Sequence, residues 1–577
     1  MLRRKKTPYY YVGQEIPTSS NDRYRFLDKT TVSALKTGRF RMLLVAYLFL
    51  IAFAVLSVRL FEQTILKKNT VRPQHSLLVA GDLPVNRADI VDRNGTILAT
   101  SLPTVDLYVD ARDISNPEQM ARDILKILPT LDKEELLEKL KSQSSFKYLK
   151  RNLTPKEQYA INRLGYPQLN FTDGEQRIYP QSHLFSHIIG LTNIDNKGIA
   201  GLEMAFHQRL TTDKRPLQLS VDTGVQNIIR YELAKAMDTF SASAGAALVM
   251  NAQNGEIIAL TSLPDFDPNR PATRTDYNIF NRATLGLYEV GSVMKPFTVA
   301  MGLETGLITP DDRVDATKPL RLGRFTVTDF QGKNRFLTIP EVLIYSSNIG
   351  SAKIGMAVGV EKQKAFLERF GLLSVVPCEL PERGRPIQPD TWREVNGATI
   401  SYGYGIAVSP LHMATAVSAL VNGGLYRPPT FLKNGNKDTP ATQIISPKTS
   451  QILRHMMRAV IDIGSGKRAN IKGYLVGGKT GSAEMQDLHG RYIKGTLRTS
   501  FVGAFPMDNP QYVLYVMLEN PKKRKEDWYF NTAGWNAAPT GGAMIEAIAP
   551  HLGVTPKEEL EKPSYIEVAY EQYKPKK

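Results

Sequence analysis

Ser292 and Lys295 stand three residues apart in NRATLGLYEVGSVMKPFT, Asn281 to Thr298, and together they could do nucleophilic chemistry. A serine hydroxyl attacks poorly until a base takes its proton, and a lysine becomes that base when burial or nearby cations lower its pKa. The flanking residues predict a helix from Ser292 to Leu307. Met294, Phe297, Ala300 and Leu303 recur at helical spacing, and Pro296 is best tolerated in a first turn, where N–H groups lack partners anyway. Ser292 is thereby placed at or just before the helical N-terminus, with the Lys295 amine on its face. Alone the pair is weak, because Ser33/Lys36 and Ser144/Lys147 repeat it by chance. Two further motifs strengthen it. Ser346-Ser347-Asn348 follows 54 residues after Ser292, and Lys479-Thr480-Gly481 a further 133 residues on. By themselves the first is a common helix cap and the second a common turn; in this order they form a set. A second cluster, Ser19-Ser20-Asn21 with Ser33, Lys36, Thr37 and Gly38, has the wrong order and shares Lys36 between two motifs. It is a coincidence.

Elements able to position such a set are readable in part. Met42 to Val58 carries no charge, and Leu60 and Phe61 extend it past Arg59, which can snorkel to a bilayer interface. Residues 42–61 therefore read as a single membrane anchor. The preceding basic stretch is too long for a cleaved signal peptide. Residues 1–41 hold ten Lys and Arg against Glu15, Asp22 and Asp28, which places that side in the cytoplasm and predicts a disordered polar tail. Residues 62–220 form a stem of mixed character. Arg87 to Ser101 reads as two short strands around Asn94-Gly95, and Pro117 to Lys141 as helical. From 221 to 555 the pattern is that of a catalytic domain. Ala244 to Ser262 is a hairpin around Asn254-Gly255, and Thr499 to Asn520 gives two strands around Asp508-Asn509-Pro510. Helical segments lie between, including Ile339 to Ala357 and Pro410 to Asn422. Strands at both ends with helices between predict an α+β fold, one sheet covered by helices. Residues 556–577 are charged, balanced in sign and expected to fray.

Totals bound the rest. A chain of 577 residues with 42% hydrophobic content accommodates two or more domains and a large core. Net charge is +17, of which +7 sits on residues 1–41. No nucleic-acid-binding motif accompanies it, so the basic flank is assigned to the membrane and nucleic acid is not expected as a partner. Cys378 is the only cysteine, which excludes intramolecular disulfides, and it reads as a buried small apolar residue. His183 and His187 are four apart without a third ligand, so a structural role is assigned to them and no metal is expected. No organic cofactor is indicated.

Taken together, Ser292-x-x-Lys295, Ser346-x-Asn348 and Lys479-Thr480-Gly481 behind a signal anchor resemble the class B penicillin-binding proteins, and most nearly the division-specific D,D-transpeptidases. In the stem, Arg87, Asp92, Arg93, Asn94 and Gly95 match the family's R-G-x-I-x-D-R-N-G, with Ala88 in place of a glycine. Arg177, Tyr179, Pro180, Gly190, Gly201 and Glu203 match a later stem pattern. Tyr402 to Gly424 and Thr532 to Gly542 resemble the division enzyme more than its elongation counterpart. The resemblance implies a transpeptidase domain with a central antiparallel sheet and helices, preceded by a mixed stem of dimerisation type. It implies that Ser292 attacks the donor stem peptide, that Lys295 takes its proton, and that Ser346 passes a proton to the leaving D-alanine. Asn348 would hold the donor and help position Lys295. Lys479 would keep Lys295 neutral and attract the donor carboxylate, which Thr480 and Ser482 would bind beside Gly481. The backbone N–H groups of Ser292 and Ser482 would form the oxyanion hole. Serine at 482 replaces the commoner threonine. Adjacent glycines at 477 and 478 suit a strand approached by a substrate backbone. Implied partners are stem peptides and lipid-linked glycan, β-lactams, and a membrane-embedded division glycan polymerase with other division proteins. The implied location is the inner membrane, single-pass, with the catalytic domain periplasmic.

Rival functions make different demands. A serine β-lactamase needs a glutamate that activates water, and no Glu-x-x-x-Asn stands between Asn348 and Lys479. A membrane-bound penicillin sensor without turnover needs a cytoplasmic signalling unit, which 41 residues do not supply. A bifunctional synthase needs an acidic polymerase motif of the Glu-Asp-x-x-Phe kind, absent from the stem. The elongation-type transpeptidase remains the nearest alternative.

Overall fold

The computed structural model describes residues 29–61, 87–323, 325–435, 439–487, 489–523, 530–557 and 562–573. Two units divide the chain, residues 1–83 and 84–577. In the first, helix α1 runs from Lys29 to Phe61. Its segment from Phe40 to Ser57 is long and apolar enough to cross a membrane, at about 27 Å of helical rise. The helix starts well inside the tail expected to be disordered. The residues from Lys29 onward include Thr30, Thr31, Ser33, Thr37 and Gly38, which are weak helix formers, but they continue an already nucleated apolar helix, and adding a residue to an existing helix costs far less than starting one. Residues 1–28 lie outside the described residues.

In the second unit, the first sheet is built on one long strand. Strand β1 (Ile90–Val91) turns into β2 (Ile97–Val109), which is 13 residues long. It therefore exceeds the short strand expected to end at Ser101. Helices α2 (Pro117–Ile127) and α3 (Lys133–Leu140) follow, then β3 (Lys147–Leu153), α4 (Pro155–Asn162), β4 (Leu169–Ile178) and β5 (Leu217–Gln218). The helical stretch expected from Pro117 to Lys141 is broken by Pro129, which cannot continue a helix, and restarts at the Asp132 cap. Strand β2 pairs antiparallel with β1, β3 and β4, and β1 pairs in parallel with β5. Leu107 and Val109 bury against Met120, Ala121 and Ile124 of α2 and Leu136 and Leu140 of α3.

Stem motifs that looked like mere signature residues hold this region together. Glu203 is fully buried and accepts from Arg87 Nε and Arg177 Nε, each at 2.6 Å, while Arg87 also donates to the Glu203 carbonyl at 2.8 Å. Asp92 accepts from the backbone N–H groups of Asn94 and Thr96 and from Thr223 Oγ1. Asn94 Nδ2 donates to Asp222, the N-cap of helix α5 (Thr223–Thr239). The turn thus fastens the stem to the first catalytic helix. Gly190 is required by contact, since a Cβ there would lie 2.1 Å from the Ala200 carbonyl oxygen.

Strands β6 (Ala244–Asn251) and β7 (Ile257–Leu263) form the expected hairpin, and β8 (Gly477–Gln486), β9 (Tyr492–Phe505) and β10 (Tyr512–Glu519) complete an antiparallel sheet of order β8-β9-β10-β6-β7. Both faces are covered, and alternate residues go to different cores. Leu248, Met250, Val502 and Tyr515 enter the larger core. Ala247, Val249, Phe501 and Val516 pack with Val225 and Ile229 of α5 and with Ile545 and Ile548 of α11, the helix Ala537–His551. That is why β6 reads as an unbroken apolar run instead of alternating.

Between these strands come α6 (Lys295–Glu304), α7 (Ile339–Ile344), α8 (Asn348–Val358), α9 (Pro410–Val421) and α10 (Pro447–Asp462). The single helix expected over Ile339 to Ala357 is interrupted at Ser346, whose φ of 58° lies in the left-handed region. A non-glycine residue adopts it only when its surroundings impose it. A last helix, α12 (Ser564–Tyr573), replaces the frayed end expected there. Ile566 and Ala569 are buried in the larger core, and the gain from burying them outweighs the ordering of a short charged segment. Residues 558–561 and 574–577 lie outside the described residues.

Candidate active site

Three segments converge on one cleft. Gly291 to Met294 forms a 3-10 turn that leads directly into α6, with Pro296 in its first turn, so Ser292 sits just before the helix as its spacing predicts. Strand β8 lies flush against this turn. A Cβ on Gly481 would fall 2.4 Å from the Val290 carbonyl oxygen, and one on Gly291 would fall 2.7 Å from the Ser482 carbonyl oxygen. These two glycines let the backbones of Ser292 and Ser482 approach, which is the arrangement an oxyanion hole requires. Gly477 and Gly478 have a different reason from the one expected. A Cβ at either would collide with the Met507 side chain or with Val502 and Phe501, so they serve packing within the domain.

The break between α7 and α8 brings Ser346 and Asn348 to the same place. Lys295 Nζ donates to Ser346 Oγ at 3.0 Å, to Asn348 Oδ1 at 2.8 Å and to the Ser346 carbonyl oxygen. Lys479 Nζ donates to Ser346 Oγ at 2.9 Å and to the Thr480 carbonyl oxygen at 3.1 Å. One hydroxyl therefore bridges two amines. The Lys295 amine makes no hydrogen bond to Ser292 Oγ among the described residues; such bonds commonly tighten only when substrate is bound. Thr480 Oγ1 lies 2.8 Å from Ser465 Oγ, and Ser482 Oγ accepts from the Ala533 N–H at 3.0 Å.

Both lysines are fully buried. Burial holds Lys295 well below the ordinary lysine value of 10.5, and the neighbouring Lys479 charge pushes it down further, with Asp329 acting the other way. Burial alone brings Lys479 down to about 7. An amine held neutral can act as a base, and one that keeps its proton can attract a carboxylate.

Several residues of the cleft carried no motif. Asp329 accepts from Ser347 Oγ at 2.7 Å and from the N–H groups of Asn348 and Ile349, fixing the start of α8. The one available signal was that α8 has no acidic residue in its own first turn. Gly403 accepts from the Gly291 N–H, and a Cβ on it would lie 1.8 Å from the Gly291 carbonyl oxygen. Gly403 thereby packs directly against the turn that carries Ser292. Outside the cleft, His187 Nε2 bonds the Asn278 carbonyl oxygen, and burial lowers its pKa to about 4. Cys378 is half-buried against the core, which raises its thiol to about 12.

Comparison with known proteins gives the same class. Residues 245–534 match the penicillin binding protein transpeptidase domain, and residues 82–232 match the penicillin-binding protein dimerisation domain. The probable peptidoglycan D,D-transpeptidase FtsI of Caulobacter vibrioides is 37% identical over 487 residues, covering 82% of each chain. The probable transpeptidase PenA of Neisseria gonorrhoeae is 30% identical, covering 84% of this chain and 88% of that one. FtsI of Escherichia coli is 28% identical over 505 residues, covering 82% and 84%. Penicillin binding protein 3 of Mycobacterium tuberculosis, solved with aztreonam, superimposes with a TM-score of 0.64 at 23% identity over 83% of this chain and 98% of that one. The chain belongs to the penicillin-binding protein transpeptidase family, with the dimerisation and transpeptidase domains of its class B members.

Proposed function

We propose that this protein is a serine-type peptidoglycan D,D-transpeptidase that cross-links stem peptides during septal wall synthesis and is inhibited by β-lactams. The observation that carries the reading is the Lys295–Ser346–Lys479 cluster, two buried amines sharing one hydroxyl beside the Ser292 turn. Ser292 Oγ attacks the carbonyl between the terminal D-alanines, and Lys295 takes its proton. As the C–N bond breaks, Ser346 delivers a proton to the departing D-alanine amine. The amine of a second stem peptide then attacks the acyl-enzyme, restoring Ser292 and closing the cross-link. Lys479, Thr480 and Ser482 hold the donor carboxylate, Asn348 holds the donor backbone, and the Ser292 and Ser482 N–H groups stabilise the oxyanion, each such donor contributing about 3 kcal/mol.

The septal assignment draws on the FtsI relatives. We assign residues 1–41 to a cytoplasmic tail, 42–61 to the inner-membrane anchor, 62–220 to the stem, 221–555 to the periplasmic transpeptidase domain and 556–577 to a C-terminal segment. A membrane-embedded division glycan polymerase supplies the glycan and contacts the anchor and stem. The test is covalent labelling by a fluorescent penicillin. Wild type labels on a peptide containing Ser292 and Ser292→Ala does not label; undiminished labelling of Ser292→Ala overturns the nucleophile assignment.

A further inference from the structure

The C-terminal helix α12 lies beyond residue 534, where the match to the transpeptidase domain ends, yet it is built into the cleft's supports. It packs against α7 and α10. Ile566 and Ala569 are buried on that side, and Tyr565 and Tyr570 are half-buried against the same core. The Tyr570 hydroxyl donates to Asp462 Oδ2. Asp462 is the last residue of α10, and its Oδ1 is paired with Arg458 at 2.5 Å.

Both supported helices end at active-site groups. Helix α7 stops at Ile344, two residues before Ser346, and α10 stops three residues before Ser465. The two ends are tied together, because the Ser465 N–H donates to the Ile344 carbonyl oxygen at 3.3 Å. From there Ser465 Oγ bonds Thr480 Oγ1. The left-handed backbone at Ser346 persists only where its neighbours over-determine it, and those neighbours are the helices α12 clamps.

We propose that α12 is a brace that holds Ser346 and Thr480 in register for acylation, with Tyr570 and Asp462 as positioning residues. The proposal rests on the reading of Ser292 as the nucleophile. A misplacement of about 1 Å far from the chemistry can cost a factor of about 100 in rate, so a distant clamp has leverage on the site.

The test uses the detergent-solubilised full chain, Tyr570→Phe, and a chain ending at Lys562, with penicillin binding (K) and acylation (k2) separated by stopped flow. Melting temperature and hydrogen exchange are followed alongside. The truncated chain is expected to acylate about tenfold more slowly and Tyr570→Phe about threefold in k2, with K rising in the same order because Thr480 binds the carboxylate. Exchange rises around residues 344–348 and 464–480 and stays constant in β6 and β10. A truncated, folded chain with unchanged k2 overturns the proposal even if it melts earlier. Should the truncated chain fail to fold, Tyr570→Phe decides alone, and an unchanged k2 overturns it. Failure of the nucleophile reading looks different: labelling then survives Ser292→Ala whatever α12 does.

Discussion

The stem and the cleft each gather two buried cationic side chains around one acceptor, and the acceptors differ. In the stem, Arg87 and Arg177 converge on the Glu203 carboxylate, which neutralises one of the two charges and hydrogen-bonds both groups. In the cleft, Lys295 and Lys479 converge on the Ser346 hydroxyl, which accepts hydrogen bonds but neutralises nothing. Buried charge without an answering charge is resolved by losing the proton. The stem arrangement therefore fixes structure, while the cleft arrangement favours a neutral amine, as the base proposed for Lys295 requires. The choice of lysine fits, since its amine gives up a proton when desolvated.

Substitutions should separate the two regions. Lys295→Met is expected to slow penicillin acylation by about 10²- to 10⁴-fold, the usual worth of a positioned general base, while the protein stays folded; a stopped-flow rate within a factor of a few of wild type would break the comparison on the cleft side. Glu203→Gln should do the reverse. It leaves two guanidinium groups buried around a neutral amide, which costs about 3–5 kcal/mol of stability in denaturant unfolding, yet the acylation rate per folded molecule is unchanged. A stable Glu203→Gln protein would show that the stem charges are not confined as described.

How far this was legible beforehand follows from where local pattern and global structure agree. The family resemblance of the ordered motifs put Ser292, Ser346 and Lys479 together across long stretches of chain, and Pro296 located the helix start because its effect is short-range. The hairpin at Asn254-Gly255 was legible for the same reason. The break at Ser346 was not: Ile339 to Ala357 is a good helical sequence, and only the packed site imposes the left-handed residue that splits it. Asp329 was invisible because its partners, Ser347 and Asn348, are distant in sequence. Helix α12 was missed because its buried face consists of Ile566, Ala569 and two tyrosines among charges, too thin an apolar stripe to stand out. Gly477 and Gly478 were visible, but the partner their missing side chains admit is a neighbouring side chain or strand, which no local reading supplies.

The central claim is that Lys295 loses its proton far below the ordinary lysine value because burial and the Lys479 charge outweigh Asp329. Its most direct measurement is the acylation rate from about pH 5 to about pH 11, which spans the ordinary range of both groups. Protonating Lys295 removes the base, so the midpoint of the acid limb should lie far below 10.5. An alkaline decline follows as Lys479, shifted toward about 7, loses the charge that draws in the carboxylate. A rate that is small at neutral pH and climbs steadily up to 10.5 would mean that Lys295 keeps its proton as any exposed lysine does, and would contradict the account.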